Sequence, residues 1–394
     1  MAMLLGTVLG LLFKADAAAW FGWLGDAFIR LLKMVIVPLV FSSLVTGLME
    51  LNHGRELRSM GLKTMALFIS TSLFAILLGL LLMNLIQPGV NASLTHQGPP
   101  AARPNSQSIK AMLLDMIPTN ILQAMSTDNM IGIILFAILF GLAVRHISKG
   151  RREIMINWFN SFYDVMITMT NWIINLAPLG VTGLVAKAVG QGGLHSFQSL
   201  GLYMLTIFSG LVLHMFGTMS LLLIIFARIN PLRHINNMLP ALLTAFSTSS
   251  SSATLPVTIK TLRTRVGVSN KVSSFVLPMG ATINMDGTAL YECAGVLFIA
   301  QVLKIPLDLT QQIMLVFVAL IASIGAAGIP SAGLVMIFIV LEAVNLNTPE
   351  AHAIVGIMLA IDRPLDMCRT AVNVYGDTCV AAIIAKSDGE HLNE

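Results

Sequence analysis

The sequence predicts an all-α protein whose helices span a membrane. Three observations carry this. Hydrophobic residues fill 56% of the 394 positions and charged residues only 11%, against about 25% in a soluble domain. The mean hydropathy is +0.83. Apolar runs of the roughly 20 residues needed to cross a bilayer recur along the chain. A soluble protein is excluded, because a chain this long and apolar has too little polar surface for water. The formal net charge of +4 says less than the placement of the basic residues.

The runs lie at 2–13, 28–50, 60–87, 119–147, 154–189, 197–227, 269–303 and 349–385. The first is short. It has neither a basic leader region nor a small-residue cleavage site, so it reads as a short or trimmed first span and not a signal peptide. Two further apolar segments, 235–265 and 308–346, are interrupted in the middle, by the run from Ser247 to Thr254 and by Gly325 to Gly333. The loop 88–118 is rich in Pro, Gly, Ser and Asn and reads as a surface loop. Its Asn91-Ala92-Ser93 matches a glycosylation acceptor by chance. The tail after Lys386 is polar and expected to fray. Cys293, Cys368 and Cys379 lie in apolar surroundings with no CxxC spacing, which suggests neither disulfides nor a zinc site.

Basic clusters orient the spans. Arg55 and Arg58; Arg145, Lys149, Arg151 and Arg152; Arg228 and Arg233; and Lys260, Arg263, Arg265 and Lys271 mark cytoplasmic loops by the positive-inside rule. The loops 88–118, 187–196, 304–308 and 346–351 face outside. The alternation works only if each interrupted segment enters and leaves on one side, the first from the cytoplasm and the second from outside. The architecture is therefore eight transmembrane helices plus two opposed re-entrant helical hairpins, with both termini cytoplasmic.

The last span holds Asp362, Asp366, Arg369, Thr370, Asn373 and Asp377. At 100° per residue these share an arc of roughly 100°, and Asp366 to Asp377 rises about 16 Å. A charge at the bilayer centre costs at least about 2.5–3.5 kcal/mol, so the stripe faces a polar interior or a pathway. A purely structural ion-pair network is the alternative, but three carboxylates against one arginine leave charge for a visiting cation. The serine run competes with helical hydrogen bonds. An unwound stretch at membrane depth lines a cavity or is buried in protein, and a half-helix N-terminus behind hydroxyls suits a carboxylate; alone, the run also fits a plain loop. Three glycines and a proline between Gly325 and Gly333 prevent a regular helix, leaving either carbonyls open to a cation or a simple kink. Asn284 and Asp286 converge only if the helix breaks there, which the adjacent Gly287 favours; their oxygens suit a hard cation such as Na⁺, or else make ordinary interhelical hydrogen bonds.

The motifs SSSSATLP at 249–256, GATINMDGTALY at 280–291, SIGAAGIPSAG at 323–333 and LDMCRTAVNVYGD at 365–377, with APLGV at 177–181, resemble the dicarboxylate/amino acid:cation symporter family. That family includes the excitatory amino-acid transporters and their prokaryotic homologues, and the resemblance covers nearly the whole chain. It implies the elevator-type glutamate transporter fold, a homotrimer in the bilayer, and a scaffold over 1–55 and 115–195. A transport domain would span 56–90 and 196–386, followed by a tail at 387–394. It implies sodium-coupled symport of glutamate or aspartate in a bacterial inner membrane, with Na⁺ as co-transported ion and no organic cofactor or nucleic acid.

By the same resemblance Ser250 and Ser251, with Ile329, Ser331 and Gly333, hold the substrate α-carboxylate. Asp366 takes the amino group, supported by Thr370 and Asn373, and Arg369 pairs with the side-chain carboxylate, helped by Thr288. One sodium site uses Asp377, Asn373, Asn284 and the Gly280 carbonyl. A second uses carbonyls of Thr282, Ser323, Ile324 and Ala326. A third uses Asp286, Asn284, Thr71, Ser72 and the Phe68 carbonyl. The chain departs from its relatives in having Phe68 where Tyr is frequent and no arginine at Ser249 or Met367; Arg363, beside Asp362, is expected to supply that charge. Retention of Asp377 favours sodium over protons. Asp366 with Arg369 favours an acidic amino acid over a pure dicarboxylate or a neutral amino acid. An intramembrane protease fits poorly, since Val374-Tyr375-Gly376-Asp377 lacks the first glycine of GxGD and Ile207 stands where GxSG needs glycine. A bare ion channel leaves Arg369 beside Asp366 unexplained.

Overall fold

The computed structural model describes residues 2–49, 55–90, 92, 117–127, 130–192, 195–326 and 331–393. Every regular element among them is helical. In chain order these are α1 (Ala2–Phe13), α2 (Ala17–Met49), α3 (Arg55–Ile86), α4 (Ile121–Ser126), α5 (Met130–Val144), α6 (Lys149–Asn175), α7 (Ala177–Gly192) and α8 (His195–Leu213). Then follow α9 (Pro231–Thr248), α10 (Ser251–Thr261), α11 (Asn270–Ile283), α12 (Asp286–Val302), α13 (Leu309–Gly325), α14 (Ala332–Ala343) and α15 (Pro349–Ser387). Turns of π-helix at His214–Met219 and Leu223–Ala227 carry α8 on to Ala227.

Among the described residues three helices are long and apolar enough to cross a membrane, Ala17–Thr46, Ser59–Ile86 and Ser199–Ala227, and the pair Lys149–Asn175 with Ala177–Lys187 adds a fourth. Several expected spans take a different form. The run at 154–189 is bent by 49° between α6 and α7, with the Leu176 amide donating back to Ile173 and Pro178 two residues on. The run at 119–147 is divided between α4 and α5, and α2 starts at Ala17 instead of 28. The 39-residue α15 carries Asp362, Arg363, Asp366 and Arg369 in its middle, which keeps it out of any purely apolar count. Most of the 88–118 loop lies outside the described residues.

Two packing groups meet. In one, α1 and α2 lie against α7, and α2 also against α5 and α6. In the other, α15 runs through the middle and touches α9, α11, α12, α14 and the end of α8, while α3 lies along α12. Both interrupted segments are hairpins, α9 with α10 and α13 with α14. The first hairpin rests mainly on α15 and α11; the second also leans on α2 and α5, with Gly325 placed against Val40 and Leu44. Large apolar side chains such as Leu85 (70% exposed) and Leu232 (71%) face outward, as a lipid-facing surface requires.

Local chemistry sets the ends. Asn230 caps α9 ahead of Pro231, Asp308 forms a capping box with Gln311, and Thr348 caps α15 ahead of Pro349, each satisfying amides that a helix start leaves open. Unwinding of the serine run is confined to its tip. Only Ser249 (φ 53°, left-handed) and Ser250 (extended) leave the helix, because Ser250 Oγ accepts from the Ala253 amide at 3.1 Å and Thr254 Oγ1 donates to the Ser250 carbonyl at 2.8 Å. The later serines therefore begin α10.

The tail is not frayed. Glu390 accepts from the Ser269 amide (2.9 Å) and hydroxyl (2.5 Å), placing a carboxylate at the start of α11, where the helix dipole favours one. The Asn393 amide donates to Val266 at 2.9 Å, Leu392 joins the inner core, and Lys63 pairs with Asp388 at 3.5 Å. Polar composition predicted disorder, but these residues find specific partners at the turn between α10 and α11. Deleting 388–394, or Glu390→Ala, is expected to lower unfolding stability by about 1 kcal/mol, measured as the melting transition in detergent. An unchanged transition for the deletion contradicts the packed tail.

Candidate functional site

The stripe on α15 meets the hairpins and the broken pair α11–α12 at two poles. At the first, Arg369 Nη2 donates to Asp366 Oδ1 at 2.5 Å, and Arg369 Nη1 stands 3.6 Å from Asp362. All three are at least 98% buried. The guanidinium lies over the Tyr291 ring, 4.3 Å from its centroid, a contact that can reach about 2 kcal/mol when desolvated. The other Asp366 oxygen accepts from the Ser331 amide at 2.9 Å. Ser331 begins α14 in a left-handed conformation (φ 59°), which aims that amide at α15. Gly333 packs on the guanidinium: a Cβ there would stand 2.9 Å from Arg369 Cζ. Arg363 Nη1 reaches Asp366 Oδ2 at 3.9 Å with a half-exposed side chain.

The second pole lies where α11 stops and α12 starts. The break falls at Asn284 and Met285, two residues before Gly287. Gly287 is already helical, and its missing Cβ leaves room for Arg369 Cγ at 3.0 Å and Asn373 Oδ1 at 3.1 Å. Asn373 Oδ1 accepts from the Gly287 amide (2.8 Å) while its Nδ2 reaches Thr288 Oγ1 (3.2 Å). Thr288 is thus placed with Asn373. Asn284 Nδ2 donates to Asp377 Oδ1 at 2.9 Å. Asp286 Oδ1 accepts from Thr71 at 3.1 Å and Ser72 at 2.6 Å, Thr71 also reaches Asn284 Oδ1 at 3.3 Å, and its hydroxyl donates to the Phe68 carbonyl at 3.0 Å.

The residues named from sequence fall into place unevenly. Thr71, Ser72, Phe68, Asn284 and Asp286 converge on one point. Asn284 and Asp377 converge with Gly280, whose carbonyl accepts the Asn284 amide at 2.9 Å and whose missing Cβ makes room for the Asp377 carboxylate; Asn373 turns instead to Gly287. Thr282, Ser323, Ile324 and Ala326 sit where the ends of α11 and α13 pack together, with the Ser323 carbonyl accepting from the Ala326 amide at 3.2 Å. Thr370 Oγ1 bonds its own helix at the Asp366 carbonyl. Ser250 and Ser251 are buried at the first hairpin's turn. Ile329 lies outside the described residues.

Three side chains escaped the sequence reading. His214 Nε2 stands 3.2 Å from Asp286 Oδ2, with both side chains fully buried; a lone histidine in an apolar run gave no signal. Glu292 is fully buried, and neither carboxyl oxygen has a hydrogen-bond partner. Tyr291, the ring beneath Arg369, looked like ordinary core. Charge is distributed unequally. At the first pole Asp362 and Asp366 face Arg363 and Arg369. At the second, Asp286 and Asp377 are met by amides, hydroxyls and the His214 imidazole.

Two helical hairpins pack with a buried charged cluster inside a body of apolar helices, the make-up of a membrane protein, and the comparisons with known proteins give its class as a transporter and not an enzyme. The model of the sodium:dicarboxylate symporter family matches residues 1–387, and the chain belongs to that family. Excitatory amino acid transporter 3 of Mus musculus is 34% identical over 451 residues, which cover all of this chain and 85% of that protein. Neutral amino acid transporter B(0) of Bos taurus is 36% identical, covering 92% of this chain and 73% of that protein. The proton/glutamate-aspartate symporter of Bacillus subtilis is 34% identical, covering 98% of this chain and 92% of that protein.

Removing one partner of a buried ion pair strands the other and costs about 3–5 kcal/mol. Asp366→Ala and Arg369→Ala are each expected to destabilise on this scale, and the double variant to recover most of one loss. Additive losses in unfolding measurements contradict the paired geometry.

Proposed function

We propose that the chain is a secondary active transporter for an acidic amino acid, aspartate or glutamate, driven by sodium symport. The observation that carries this is the Asp366–Arg369 pair one helical turn apart. An acidic amino acid can exchange partners with it: the substrate ammonium takes the place of Arg369 on Asp366, and the side-chain carboxylate takes the place of Asp366 on Arg369, whose planar fork suits a carboxylate. Charge is conserved through the exchange. The α-carboxylate is assigned to the Ser331 amide and the Ser250–Ser251 turn, with Ile329 and Gly333. The names of the relatives from Mus musculus and Bacillus subtilis agree with this substrate class. Arg369 argues against a neutral cargo such as the name of the Bos taurus relative gives.

Sodium is assigned to the second pole, in the three groups of residues named above, where the fold gathers two carboxylates with amide, hydroxyl and imidazole partners. A second reading, proton coupling, is favoured by His214 on Asp286 and by the buried, unpartnered Glu292, and the Bacillus subtilis relative is named for protons. The eight-span, two-hairpin architecture, the scaffold (1–55, 115–195) and transport (56–90, 196–386) domains, the homotrimer, the cytoplasmic termini and the inner-membrane location belong to the same proposal. The second hairpin leans on α2 and α5 while the first does not rest chiefly on either, which supports elevator-type motion of one packing group past the other.

In liposomes, aspartate or glutamate uptake is expected to require an inward Na⁺ gradient. Asp377→Asn is expected to raise the half-saturating Na⁺ concentration about tenfold. Uptake driven equally by a proton gradient without Na⁺, and lost in Glu292→Gln, replaces sodium with protons. Arg369→Cys is expected to abolish acidic uptake; unchanged aspartate affinity refutes its role.

A further inference from the structure

The four charged groups of the first pole differ in exposure. Arg369, Asp362 and Asp366 side chains are 1–3% exposed, whereas Arg363 is 55% exposed. Arg363 nevertheless reaches the inner group, with Nη1 3.9 Å from Asp366 Oδ2. That oxygen also receives the Ser331 amide, while Oδ1 is turned inward to Arg369. The carboxylate therefore has a covered side and an open side, and Arg363 stands on the open one. It also decides the charge of the pocket. With Arg363 two carboxylates meet two guanidinium groups; without it the pocket carries an excess negative charge and repels an anionic solute.

We propose that Arg363 is a specificity-determining residue at the water-facing mouth of the pocket: it attracts the carboxylate of the incoming solute and leaves Asp366 Oδ2 as the solute's ammonium arrives. This deepens the acidic amino-acid reading and rests on it. A guanidinium is always charged and pairs with carboxylates in a fixed fork. Because Arg363 is exposed, its attraction is screened, over about 10 Å at 0.1 M salt and about 3 Å at 1 M. Arg369, in the dry interior, is screened far less. Salt therefore separates the two arginines.

The test is equilibrium binding of aspartate and of succinate to purified wild type, Arg363→Gln and Arg363→Lys. Sodium is held constant, and total ionic strength is set low or high with choline chloride. Arg363→Gln is expected to weaken binding about tenfold at low ionic strength and about twofold at high. Arg363→Lys keeps most of the affinity, and the melting transition of both variants stays at the wild-type value. Equal affinity of wild type and Arg363→Gln at low ionic strength overturns the proposal. So does a loss of the same size at both ionic strengths, which marks a packing role. Wild-type binding of succinate in preference to aspartate removes the acidic amino-acid reading, and the Arg363 comparison is then read on succinate with the same two criteria.

Discussion

Arg369 and Asp366 sit side by side on one turn of α15, both almost wholly out of water, and the surrounding structure is arranged to make that tolerable. An isolated charge at membrane depth is expensive, and a buried pair offsets its desolvation only through further polar contacts; among the described residues Arg369 Nη1 and both Asp362 oxygens still have no hydrogen-bond partner. Here the Tyr291 face lies under the guanidinium, Asp362 stands behind it, and the Ser331 amide reaches the far oxygen of Asp366. Each contact requires an irregularity. Ser331 must be left-handed, Gly333 must lack a Cβ, and α12 must start late enough for Gly287 to slide beneath Arg369. The broken helices are the geometric consequence of bringing backbone and small residues up to one buried pair.

The same breaks build the second pole. The interruption at Asn284 and Met285 turns Asn284 toward Asp377 and leaves Asp286 facing Thr71 and Ser72 on α3. Asn373 lies between the poles on α15 and holds the Gly287 amide in the first turn of α12. A cation on Asp286 or Asp377 and a solute on Asp366 and Arg369 therefore act on the same two elements, α12 and α15. That shared support gives coupling between ion and solute a physical basis without any long-range path.

Much of the pocket was legible in the sequence because charge in an apolar context has so few explanations. The α15 stripe and the two interruptions were placed by that argument. What was misread follows from its limits. The break between Asn284 and Asp286 lies where the convergence argument put it; what the sequence did not reveal is that Gly287, beside it, marks close approach to Arg369. The serine run was expected to hold an unwound tip with a half-helix start behind it, and the unwinding is confined to Ser249 and Ser250 because serine is also a good helix start. The polar tail looked frayed because composition does not reveal that Glu390 has Ser269 to bind. Glu292 and His214 were missed because a single polar residue among small and apolar neighbours has no periodic partner to announce it. The bend between α6 and α7 was hidden inside a continuous apolar run.

The central claim is that the pocket reads an ammonium and a side-chain carboxylate together, through one pair of exchangeable partners. The most direct measurement is the equilibrium affinity of the purified protein, at fixed Na⁺, for aspartate, for succinate, which lacks the ammonium, and for asparagine, which lacks the second carboxylate. A site built to hydrogen-bond a group rejects analogues that lack it, so aspartate is expected to bind at least about a hundredfold more tightly than either analogue. Succinate or asparagine binding as tightly as aspartate contradicts the account.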